Sequence, residues 1–189
     1  MADDPLANKR RAHEEDYFQK RDLELIEKAR QQARAQQQLR ELGERVGITD
    51  PEISRELAEL GFTPETVRLL PLVPVLEMAW AEGGVTPEER KMVVQVARTR
   101  GIEEGSEADR QLAEWLDRRP EDSVFRRAGR LISALFASGG RVNITPEDII
   151  KYCEAIADAS GGVFGIRRVS SEERATLGRI ASEIKSRQK

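Results

Sequence analysis

The chain has 189 residues, room for one ordinary domain with an extension or for two small domains. Lys and Arg total 31 against 34 for Asp and Glu, a net of −3, so no basic excess drives binding to a phosphate backbone and no nucleic-acid partner is expected. A single cysteine, Cys153, and a single histidine, His13, exclude an internal disulfide and a His/Cys zinc site and argue against a Ser-His-Asp triad.

Residues 1–42 hold nine basic and nine acidic side chains, no Gly, and the Gln-rich run from Gln31 to Gln38. Good helix formers dominate, so one long helix is expected. Phe18, Leu25, Leu39 and Val46 recur at intervals of seven, but Gln32 interrupts the series, which predicts a narrow stripe that is partly buried at most. The charged start, Met1 to Arg11, has no apolar leader, and no later stretch approaches the roughly 20 apolar residues of a membrane span. A cytoplasmic protein without membrane insertion is expected. Gly43, Gly47 and Asp50-Pro51 close the first helix and open the next, so the chain divides into an amphipathic helix over 1–48 and a bundle over 49–189, with Gly43 to Pro51 as a hinge.

Ile53, Leu57 and Leu60 give the next helix its apolar face, and Thr63-Pro64-Glu65 opens another. Leu69 to Trp80 is apolar almost all round and predicts a central helix enclosed by others. Thr86-Pro87-Glu88-Glu89 has the form of a capping box ahead of Met92, Val93, Val96 and Ala97. Further helices carry Leu112, Trp115 and Leu116, then Phe125, Ala128, Leu131, Ile132, Leu135 and Phe136. Thr145-Pro146-Glu147-Asp148 starts one with Ile149, Ile150, Cys153 and Ile156 inward, and Ser170-Ser171-Glu172-Glu173 starts the last, with Leu177, Ile180 and Ile184 buried. Trp80 and Trp115 read as core. About seven helices follow position 50, no segment alternates like a strand, and the predicted fold is all-α.

One unit occurs twice. Ala81-Glu82-Gly83-Gly84-Val85-Thr86-Pro87-Glu88-Glu89-Arg90 is echoed by Ala157-Asp158, then Gly161-Gly162, then Val169-Ser170-Ser171-Glu172-Glu173-Arg174. This doubled turn, Ala-acid-Gly-x-Val-(Thr/Ser)-x-x-Glu after a buried helix, resembles the TerB-like domain of tellurite-resistance proteins over residues 65–187. The resemblance implies a TerB-like helical bundle, a stress-response role and a divalent cation held by Glu82, Glu88, Glu89, Asp158, Glu172 and Glu173. The residues themselves offer a simpler role, because Glu89 and Glu173 stand where capping-box glutamates belong and the others sit where a helix dipole favours acids. The loop from Asp158 does not follow an EF-hand, since Ser160, Gly162 and Val169 occupy key ligand positions.

A second resemblance lies in Lys9-Arg10-Arg11-Ala12-His13-Glu14-Glu15-Asp16-Tyr17-Phe18, with Arg21 and Leu25 beyond. This stretch is similar to the inhibitory segment of the mitochondrial ATPase inhibitor family, whose helix enters a catalytic interface of the rotary ATP synthase head. It implies a non-enzymatic regulator in which Tyr17, Phe18 and Leu25 anchor in a groove while Arg10, Arg11, Glu14, Glu15 and Arg21 make charge pairs. The competing expectation is an ordinary N-terminal helix whose Tyr17, Phe18 and Leu25 fold back on the bundle.

Overall fold

Eight α-helices and one 3₁₀ helix, with no strand, make up the described residues of this computed structural model, which are 5–140, 144–160 and 169–185, with side chains over 18–140, 144–159 and 169–184. The all-α expectation holds. The chain forms two compact units, residues 1–39 and 40–189, and the division falls within the first helix, α1 (Pro5–Val46).

In the first unit α1 follows helix propensity, its sequence being rich in Ala, Gln, Glu, Lys and Arg. Every described side chain from Phe18 to Gln38 is exposed. A Gln31 amide donates to Glu27 one turn earlier.

The second unit begins with the last turns of α1, where Leu42 and Val46 are buried. Gly47 takes φ +71° past the helix end, and two bonds close a Schellman motif: its N–H donates to the Glu44 carbonyl at 3.2 Å, and the Ile48 N–H donates to the Gly43 carbonyl at 2.9 Å. A Cβ at Gly43 would lie 2.7 Å from Ser54 Oγ and 2.8 Å from the Ile48 carbonyl oxygen. The segment expected as a hinge begins with this capped and tightly apposed turn. Asp50 then caps α2 (Pro51–Glu59) by accepting from the Glu52 N–H at 2.9 Å.

The expected helix over Leu69 to Trp80 is two elements. Val67–Leu72 is a 3₁₀ helix containing Pro71, and α3 (Val73–Ala79) starts afresh with Pro74 in its first turn. Pro71 lacks an N–H and its ring clashes with the carbonyl four residues back, so a continuous α-helix cannot pass through it. The burial expected of the segment holds, since Val73, Pro74, Val75, Leu76, Met78 and Ala79 are all enclosed. Around α3 stand α4 (Pro87–Thr99), α6 (Asp122–Ala137), α7 (Pro146–Ser160) and α8 (Ser171–Lys185), with α5 (Glu107–Asp117) against the 3₁₀ helix.

The inward faces are largely those expected, but Ile53, Leu60, Met92, Phe136, Ile150 and Leu177 are only half-buried. Trp80 and Trp115 are also half-buried. Indole N–H groups need a partner, and the Trp80 Nε1–H donates to the Trp115 carbonyl at 2.9 Å, while Phe62 meets the Trp115 ring edge-on at 5.7 Å.

Candidate functional site

The expected partner-binding residues all lie on α1. Phe18 is 60% exposed and Leu25 58%, and Arg21 is exposed too. The side chains of Arg10, Arg11, Glu14, Glu15 and Tyr17 lie outside the described residues. Two apolar residues that sequence reasoning missed join the exposed set, Leu23 at 65% and Ile26 at 47%. At about 100° per residue, Phe18 and Leu25 fall nearly in line, and Ile26 and Leu23 widen the arc to about 160°. Asp22, Ala29 and Arg30 fall inside that arc, and Arg21 and Glu27 lie outside its two edges. The result is a broad band of mixed character, with large apolar side chains spaced between charges. The signal for Leu23 and Ile26 was present in the sequence, but a search along intervals of seven passes over them.

The six acidic residues expected to bind a cation have other work or stand in solvent. Glu89, 2% exposed, accepts on one carboxylate oxygen from the Thr86 N–H at 2.7 Å and the Thr86 hydroxyl at 2.9 Å, while its own N–H donates to Thr86 Oγ1 at 3.2 Å. Glu173, 1% exposed, repeats the arrangement: it accepts from the Ser170 N–H at 2.7 Å, and its N–H donates to Ser170 Oγ at 3.1 Å. Both copies of the doubled turn are therefore capping boxes. Burial pushes the Glu89 carboxyl above its usual range despite the Thr86 bonds, and the charges of Glu173 and Glu82 push it further. Glu82, Glu88 and Asp158 are exposed. Glu172 is held below the usual range by its own N–H and by Ser171, whose hydroxyl donates to it at 2.9 Å. Among the described residues, no group of three or more His, Cys, Asp and Glu is placed to hold a metal ion.

Cys153 is wholly buried on α7, and its thiol faces the Pro74 carbonyl at 3.7 Å. Burial raises its pKa to about 12, with the nearby charges of Glu77 and Glu154 adding to the shift. Such a thiol is a small core group rather than a nucleophile. Among the described residues no helix is long and apolar enough to cross a membrane. No family model, curated protein or solved structure matches the chain, and its function is therefore read from the residues themselves.

Proposed function

We propose that the chain is a non-enzymatic regulator that docks onto another protein through the exposed apolar band of α1. The partner proposed is the catalytic head of the rotary ATP synthase, whose ATP hydrolysis the docked helix inhibits. The carrying observation is the exposure of Phe18, Leu23, Leu25 and Ile26 on a stretch, residues 18–38, whose other side chains are charged, polar or alanine. Exposed apolar side chains clustered on one element mark an interaction surface more than scattered ones do. Each is already about half covered, so docking adds roughly half of a full transfer term, about 1 kcal/mol per side chain. Four such terms fall short of micromolar affinity once the cost of association is included, so the charged residues must also contribute. The resemblance of residues 9–28 to the ATPase inhibitor segment supplies that partner, and the TerB-like reading of residues 65–187 supplies the body that carries the arm.

The test is ATP hydrolysis by purified synthase heads titrated with the full chain. Turnover is expected to fall along a saturable curve, and the Leu25→Asp, Ile26→Asp double variant is expected to leave it high, because both positions are exposed and the fold does not need them. Unchanged turnover at large molar excess of the native chain rejects the partner.

A further inference from the structure

The exposed stretch of α1 changes character along its length. Residues 22–27 carry Asp22, Glu24 and Glu27 and no base, whereas residues 28–38 carry Lys28, Arg30 and Arg34 and no acid. All six side chains are exposed, and at 1.5 Å per residue the two groups are centred roughly 10 Å apart along the helix axis. The apolar side chains divide in the same way. Phe18, Leu23, Leu25 and Ile26 all precede Lys28, and the positions between and beyond the bases of 28–38 hold only Ala and Gln. The first half of the stretch thus offers burial beside negative charge. The second half offers positive charge and amides, with nothing large to bury.

The two charge groups do not neutralise each other within the helix. Glu24 and Lys28 stand four residues apart, and Glu27 and Arg30 three, spacings at which pairs can form. Among the described residues no ion pair within 4 Å joins them, and Glu27 instead accepts from the Gln31 amide at 3.4 Å. Exposed pairs of this kind are worth only about 0.3–0.5 kcal/mol, so they hold the side chains back from a partner very weakly. A helix of uniform character enters a groove in either direction. With acids at one end and bases at the other, one direction matches the groove's charges and the reverse sets like charges face to face, which opposes docking.

We propose that this charge order fixes the direction in which α1 docks. The partner takes residues 18–27 in an apolar pocket rimmed by Lys or Arg, and it takes residues 28–38 on an adjoining surface rich in carboxylates. The assignment rests on the docking proposed above and names the chemistry of the surface that receives it.

The experiment is equilibrium binding of the full chain to immobilised ATP synthase heads at low and high salt. A charge-exchanged variant, Glu24→Arg, Glu27→Arg, Arg30→Glu, Arg34→Glu, keeps the composition, the net charge and all four apolar side chains, and it uses only good helix formers. It is expected to bind at least about tenfold more weakly than the native chain at low salt, with the gap narrowing at high salt as the charges are screened. Two variants that introduce no like-charge contacts within the helix, Glu24→Gln, Glu27→Gln and Arg30→Gln, Arg34→Gln, are each expected to weaken binding about threefold or more. Circular dichroism checks that each variant keeps its helix. Equal binding of the native and exchanged chains overturns the assignment, as does an acid-neutralised or base-neutralised variant that binds as tightly as the native chain. Absence of any binding by the native chain rejects the docking itself, and the assignment falls with it.

Discussion

Two buried residues show how the surroundings of a side chain set its chemistry. Cys153 has a thiol pushed up to about 12 and no solvent-exposed surface, so at neutral pH almost none of it is thiolate. Labelling of the folded chain by a maleimide is expected to proceed only as fast as the protein opens, and rapid modification under native conditions contradicts the placement of α7 against α3. Glu89 is the more informative case. Its folded pKa lies above the ordinary 4.5, so the folded state holds more proton than the unfolded one in the window just above that value. Its contribution to stability is therefore largest at low pH and is lost as pH rises through that window. Asp109, Asp148 and Glu172 are shifted down and slope the other way, so the useful quantity is the difference between variant and native chain. Glu89→Gln keeps an oxygen to accept from Thr86 and removes the titration. The stability of the variant minus that of the native chain is expected to rise as urea unfolding is repeated from about pH 4.5 upward, and a difference independent of pH contradicts the burial argument.

At the scale of elements, the second unit is set by how its helices begin and end. The Gly43 approach makes this testable. Replacement by Ala normally favours a helix by about 1 kcal/mol. Here the added Cβ meets the Ile48 carbonyl oxygen, which is backbone and cannot turn aside as Ser54 Oγ can. Overpacking of about 1–3 kcal/mol is expected to win, lowering the melting temperature of Gly43→Ala by a few degrees. An unchanged or raised melting temperature shows that the α1–α2 turn yields.

The same elements show what a sequence reveals. The starts at Asp50, Thr86, Thr145 and Ser170 were readable because a cap is a contract between residues two or three apart. The break at Pro71 was also written locally, but the strong hydrophobicity around it read as one helix. The exposure of Leu25 was not readable, since intervals of seven look alike whether the stripe is covered or open.

For the whole molecule, the two units differ in kind. Residues 40–189 own a buried core around α3, and the described part of residues 1–39 is a helix on which Phe18, Leu23, Leu25 and Ile26 stand exposed. The central claim is that those side chains are covered by a partner. Amide hydrogen exchange of the full chain, with and without purified ATP synthase heads, tests it most directly. The account predicts fast exchange over residues 18–38 in the chain alone and strong protection there in the mixture, with α3 and α7 unchanged. Exchange over residues 18–38 that is the same in both samples contradicts it.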